Sequence, residues 1–155
     1  QMCIRDRSYM IIKNLRESRE LIDKKQKDIA ELMKVNFTTV SGWETGKDTI
    51  PLKRLIEYAN YFNYSLDYLF GLTRTNDTNY LPLTINLDLI AKNLKLLRKK
   101  HNLTQADVAK KINTTQASYA HYENAINLIP TTFLYNLTLI YSPFSIDELL
   151  GRKKQ

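Results

Sequence analysis

Asn36-Phe-Thr-Thr-Val-Ser-Gly-Trp-Glu-Thr-Gly-Lys47 is the stretch whose reading decides the fold. Asn36 suits a helix start, because its side-chain oxygen can accept an N–H left unpaired in the first turn. Val40 and Trp43 are three residues apart, so they share one helix face, predicted to point inward. Phe37, Thr38, Ser41 and Gly42 then fall on the outer face. Gly46 is predicted to take the left-handed conformation that ends the helix, with Lys47 following at the surface. Just upstream, Gln26 to Met33 carries Ile29, Ala30 and Met33 at helical spacing. Only Lys34-Val35-Asn36 separates the two segments, so they form a pair of helices joined by a tight turn.

Outward from this pair the pattern stays helical. Met10 to about Leu21 reads as an amphipathic helix with Ile11 and Leu15 on one side. Ile50-Pro51 opens another, since proline needs no N–H in a first turn, and Leu52, Leu55, Ile56, Ala59 and Phe62 give it a wide apolar face. Ser65 is placed to cap a short last helix, Leu66 to Phe70, with Gly71 ending it. Residues 73–85 are polar, then contain Pro82, and read as a linker whose apolar end (Tyr80, Leu81, Leu83, Ile85) is suited to pack on a neighbouring surface.

The pattern then returns. Ile11-Ile-Lys-Asn-Leu15 is answered by Ile90-Ala-Lys-Asn-Leu94, Arg19 by Arg98, Gln26 by Gln105, and Asp28-Ile-Ala30 by Asp107-Val-Ala109. Glu44 is answered by Glu123, Pro51 by Pro130 and Leu55 by Leu134, each pair 79 residues apart. Ser65-Leu-Asp67 matches Ser145-Ile-Asp147 at 80. So many positions in one register mark an internal repeat. The predicted organisation is a leader at 1–9, a first domain at 10–72, the linker, a second domain at 86–151 and a basic tail at 152–155. The opening Gln1-Met-Cys-Ile-Arg-Asp-Arg-Ser reads as a tag, a translated flank or a fragment edge, with a natural start at Met10. Intact-mass analysis of the natural product tests this.

Composition bounds the class. Four Gly and four Pro in 155 residues favour helices over a turn-rich β fold. No apolar run approaches the length of a membrane span. A single cysteine, Cys3, excludes an internal disulfide framework and fits a reducing cytoplasm. Cys3 lacks a plausible base partner for a nucleophile. The formal net charge is +7, which suits a polyanionic partner and equally suits solubility alone. Residues 9–72 contribute a net +1 and residues 86–155 a net +5.

These residues resemble the helix-turn-helix family of phage repressors and related bacterial regulators, the Cro/repressor or XRE-like type. That family's pattern is roughly Leu-Arg-x-x-Arg, then Leu-Thr-Gln-x-x-(Leu/Ile/Val)-Ala, then a recognition helix with an apolar pair and Glu, then Gly. The resemblance covers both repeats. It implies an all-α chain of two tandem five-helix, lambda-repressor-like helix-turn-helix domains. The second copy matches early: Leu103-Thr-Gln-Ala-Asp-Val-Ala109 fits closely, and Thr104 with Asp107 resembles a capping box. It departs late. Ala125 stands where the family has Gly, and Asn124 is a candidate for the left-handed residue instead. The first copy is the reverse. Its Trp43-Glu44-Thr45-Gly46-Lys47 end matches, while Lys24-Lys25-Gln26 replaces Leu-Thr-Gln, leaving Leu21 or Ile22 to supply the apolar anchor.

The resemblance further implies that Gln26 and Gln105 touch the DNA backbone. It assigns base edges to Phe37, Thr38, Ser41 and Gly42 in the first copy. In the second they fall to Gln116, Ala117, Ala120 and His121. The chemistry suits these roles: Gln116 can pair with adenine, and Phe37, Thr38 or Ala117 can touch a thymine methyl. Lys24, Lys25, Lys27 and Lys47, then Thr104, Lys110 and Lys111, are placed for phosphates. The basic runs 98–100 and 152–154 are more simply solvated faces. Trp43 and Tyr122 read as core. Glu44 and Glu123 read as ion-pair partners of Arg19 and Arg98 rather than catalytic carboxylates, because all four recur in register.

The implied function is a sequence-specific DNA-binding transcriptional regulator, a repressor acting by operator occupancy on double-stranded DNA. Either each head takes a half-site, or one head binds DNA while the other forms a homodimer. The second copy, with more positive charge and longer polar readers, is the stronger expected DNA contact. The alternative is an antitoxin-like protein-interaction module with autoregulatory DNA binding and an unknown protein partner. An enzyme is not indicated: the sequence shows no clustered carboxylates, Gly-rich phosphate loop or Ser/His/Asp set, and no cofactor motif. His101 and His121 lack the partners of a metal site.

Overall fold

The computed structural model describes residues 10–155. Residues 1–9, with the leader and Cys3, lie outside the described residues. The described residues hold ten α-helices and no strand. They divide into two compact units that meet in sequence between Thr78 and Asn79.

The first unit holds α1 (Leu15–Leu21), α2 (Gln26–Met33), α3 (Phe37–Thr45), α4 (Leu52–Phe62) and α5 (Leu66–Leu69). The second repeats the order with α6 (Leu87–Lys100), α7 (Gln105–Lys111), α8 (Gln116–Glu123), α9 (Thr131–Ile140) and α10 (Ile146–Leu149). Each unit buries its own core. Leu15, Ile29, Val40, Trp43, Leu55 and Leu66 meet in the first; Leu94, Val108, Tyr119, Leu134 and Ile146 meet in the second. In the first unit the apolar positions of the predicted stripes are buried, apart from Phe62, which is half-buried, and Ile11, which is exposed. None of the described helices is long and apolar enough to cross a membrane.

Several expectations are corrected. The helix predicted over residues 10–21 begins only at Leu15. Residues before it bond elsewhere: the Asn14 backbone N–H donates to the Leu69 carbonyl at 3.0 Å, and its side-chain amide to the Tyr68 carbonyl at 2.7 Å. The chain therefore runs across the end of α5. In that non-helical run neighbouring side chains point to opposite sides, so Ile12 is buried at 2 % exposure while Ile11, the residue predicted inward, is 56 % exposed. Leu21 is exposed and Ile22 half-buried, so of the two candidates Ile22 supplies the apolar contact.

The stretch 73–85 makes contacts at both of its ends. Asn76 accepts a hydrogen bond from the Ser65 backbone N–H at 2.6 Å and donates to the Asn63 carbonyl at 2.9 Å, tying this stretch to the first unit. Tyr80 and Leu83 are buried in the second. In the basic run 152–154, Lys153 and Lys154 are exposed, but the reading of Arg152 as solvated is corrected. Arg152 is buried, donates to Asp147 at 2.9 Å and to the Leu81 carbonyl at 2.8 Å, and lies 5.4 Å from the centre of the Tyr80 ring. The Leu81 N–H donates to the Lys153 carbonyl at 2.7 Å, and Tyr80 pairs with Lys154 in an isolated antiparallel bridge. Both chain segments at this end of the second unit are thus sewn together. A guanidinium with a carboxylate, a carbonyl and a ring to satisfy it is stable in the interior, where a lone one is not.

Candidate nucleic-acid interface

In each unit the second and third helices pack on each other, α2 on α3 and α7 on α8. What holds each pair is a buried ion pair written twice. Arg19 donates through Nε and Nη2 to the two oxygens of Glu44 at 2.6 and 2.9 Å, and through Nη1 to the Lys24 carbonyl at 2.8 Å. Gln26 donates to the same Glu44 carboxylate at 2.9 Å. The copy is nearly identical: Arg98 donates to Glu123 at 2.7 and 3.0 Å and to the Leu103 carbonyl at 2.9 Å, and Gln105 donates to Glu123 at 3.2 Å. The forked guanidinium matches the carboxylate at two points, so the geometry is fixed as well as the charge. Three helices are pinned at one node in each unit.

The electrostatics follow. The hydrogen bond to Glu44 is the main reason the Arg19 guanidinium is held above its ordinary range; Arg98 is raised in the same way by its bond to Glu123. Burial alone would raise the Glu123 carboxyl, but the hydrogen bonds from Arg98 and Gln105, with the positive charge of Arg98, outweigh it and hold the group below the usual carboxylate range. Tyr141 is also buried near this node, and burial pushes its phenol up to about 12. Its hydroxyl and that of Tyr119 have no hydrogen-bond partner among the described residues. Val40, the register mate of Tyr119, is much smaller. It borders a void of about 10 Å³ shared with Arg19, Trp43, Glu44 and Tyr58, room for about one water.

Gln26 and Gln105 each use one amide N–H on the glutamate. The glutamate thus engages only one of the two N–H groups that each amide carries. Both residues are half-buried.

The predicted site residues differ in exposure. On α3, Phe37 and Thr38 are exposed, Phe37 at 54 %, and Ser41 is half-buried. Gly42 is not open on the outer face as predicted. It is buried, because the Asp48 side chain lies over it. On α8, Gln116, Ala117 and His121 are exposed and Ala120 half-buried. Lys24, Lys25, Lys27 and Lys47 are exposed in the first unit, and Thr104, Lys110 and Lys111 in the second. Val40, Trp43, Tyr119 and Tyr122 face the core.

The helix ends explain the local fold. Thr104 accepts from the Asp107 N–H at 3.0 Å while its own N–H donates to the Asp107 carboxylate at 2.9 Å, a complete capping box. Those bonds lower the Asp107 carboxyl. The first unit keeps half of this device. The Lys25 N–H donates to Asp28 at 2.8 Å, but lysine carries no acceptor to return the bond. Asn36 stands at the N-cap of α3 without its side chain making a cap bond, whereas Thr115, its register mate, caps α8 through Ser118 at 3.1 Å. Gly46 ends α3 at φ +84°. In the second unit Ala125 itself takes the left-handed conformation, at φ +59°, and Asn124 does not, at φ −101°. The register of the repeat overrides the residue preference at this corner.

Residues 15–69 and 94–149 match the helix-turn-helix family model, and the chain belongs to that family, in its XRE-like branch. Both matched segments contain the helix pair and the Arg–Glu node described above. Among curated proteins, the HTH-type transcriptional regulator ImmR of Bacillus subtilis (strain 168) is 31 % identical over 77 residues, covering 48 % of this chain. The match spans 61 % of that relative's length. No solved structure matches the chain.

Proposed function

We propose that this chain is a sequence-specific DNA-binding transcriptional regulator, a repressor that acts by occupying its operator. One observation carries this reading. In both units an exposed face of the third helix, flanked by exposed lysines, is held rigidly on the second helix by the same buried Arg–Glu–Gln node. Such a helix is suited to enter a major groove while its neighbours position the backbone. Membership of the family and the likeness to a transcriptional regulator support it.

The readers differ between the heads. Gln116 has the paired donor and acceptor that suit adenine N6 and N7, and His121 is exposed further along α8. Phe37 and Thr38 offer apolar contact to thymine methyls. Lys24, Lys25, Lys27 and Lys47, and Thr104, Lys110 and Lys111, hold phosphates, with Gln26 and Gln105 adding one N–H each. Two heads on one chain each take a half-site, and binding by one raises the effective concentration of the other. No catalytic step is part of the mechanism: the bound protein excludes polymerase.

Selection from a random duplex pool with the full chain, at near-physiological salt, tests the proposal. The expected result is an enriched split motif, its halves related by helical repeats of about 10 bp. Absence of any motif, with weak binding that disappears as salt rises, would mean non-specific electrostatics and overturn it.

A further inference from the structure

Resting on the reading of α3 as a groove helix, we propose that Asp48 is a base-reading group of the first unit and that the base it selects is cytosine. Gly42 lies one turn beyond the exposed Thr38, and its register mate in the second unit, His121, is exposed at the same helix position. Gly42 has no side chain to offer, yet the place is occupied. A Cβ built on Gly42 would lie 2.8 Å from Asp48 Oδ2. The Asp48 N–H donates to the Gly42 carbonyl at 3.1 Å, which folds the chain beyond Gly46 back onto the helix. A residue six positions downstream thereby delivers a carboxylate to the point where a side chain at position 42 would begin.

The fold does not require a carboxylate there. Asp48 is exposed, and no hydrogen bond or ion pair to its carboxylate occurs among the described residues. It also sits near the C-terminal end of a helix, where a negative charge is disfavoured. An ionised carboxylate only accepts hydrogen bonds. On major-groove edges guanine presents acceptors, adenine sets an acceptor beside its donor, and cytosine presents the N4 donor. Asp48 therefore fits cytosine. The second unit has Asn127 at this register, so the acceptor belongs to the first head alone.

The test is duplex selection with the full chain carrying Asp48→Asn, Asp48→Ala or Gly42→Gln, beside the unaltered protein. Asp48 is exposed and the Gly42 backbone is not left-handed, so all three are expected to keep the helical circular dichroism. The unaltered protein should select a cytosine at one position of one half-site. Asp48→Ala should lose that preference by roughly tenfold at that position alone, and Asp48→Asn should move it toward adenine. Gly42→Gln, which pushes the carboxylate aside, should alter the same position. If the variants keep the motif and bind all sequences more tightly, Asp48 merely opposes phosphates and the proposal falls. If the unaltered protein selects no motif, the DNA reading falls and takes the proposal with it.

Discussion

At Ala125 the second unit holds a left-handed backbone without the glycine that makes one inexpensive. Gly46 occupies the same corner in the first unit at φ +84°, against +59° for Ala125. A Cβ in that region costs about 1–2 kcal/mol. Ala125→Gly is therefore expected to stabilise the protein by about 1 kcal/mol, somewhat offset by the freer unfolded chain. A urea midpoint that stays put or falls would refute this. Glu123 makes a second residue-scale prediction. Its carboxyl is held below the ordinary value of 4.5, despite burial, by Arg98 and Gln105. A depressed carboxyl contributes its full stability above the unfolded pKa and loses it as pH falls through the folded one. Unfolding free energy should thus decline below about pH 4.5, and less steeply in Glu123→Gln, which has no proton to take up there. The same slope in both proteins would remove the carboxyl from the account. Glu123→Gln should also cost about 3 kcal/mol at neutral pH, since it leaves a buried guanidinium uncompensated.

Helix starts carry the next prediction. Two helices of equal role begin differently: α7 with a full capping box from Thr104 and Asp107, α2 with only the half that Asp28 supplies to the Lys25 N–H. Lys25→Thr is expected to complete the box and raise stability by about 1 kcal/mol. Thr104→Lys should lose a similar amount. Thermal unfolding of both variants checks the pair, and a destabilised Lys25→Thr would show that the lysine has another structural use. Most helices are legible in the sequence, because their apolar spacing and their turn residues agree. The start of α1 is not. Its apparent periodicity from Met10 onward is real, but Asn14 donates to the carbonyls closing α5, and that distant partner breaks the helix.

Across the whole chain, charge separates the halves: a net +1 over residues 9–72 and +5 over residues 86–155. On the proposed reading this difference appears as salt sensitivity. Each phosphate contact removed should flatten the slope of log K against log salt by about 0.9. Lys110→Gln with Lys111→Gln should therefore lower the slope by nearly 2 while leaving the selected motif unchanged. A changed motif with an unchanged slope would reverse the roles given to these lysines and to the readers on α8. Arg152 and Arg98 do not belong to this count of surface charge. Both are buried in ion pairs, at 2.9 Å from Asp147 and 2.7 Å from Glu123, so they are spent inside the fold.

The sequence by itself determined the repeat, the helix-turn-helix pairs and the Arg19–Glu44 and Arg98–Glu123 partnerships. Each of these is local periodicity, or a residue type recurring at one offset, and such signals do not depend on how distant segments meet. Tertiary structure alone decided that Asp48 covers Gly42, that Ala125 rather than Asn124 turns left-handed, that Ile12 rather than Ile11 goes inward, and that Arg152 is interior. In each case backbone geometry or a partner far along the chain sets the outcome. The Leu81 carbonyl, 71 residues from Arg152, is the plainest example. Arg152 looks solvated in the sequence until the acceptors that bury it are brought into reach.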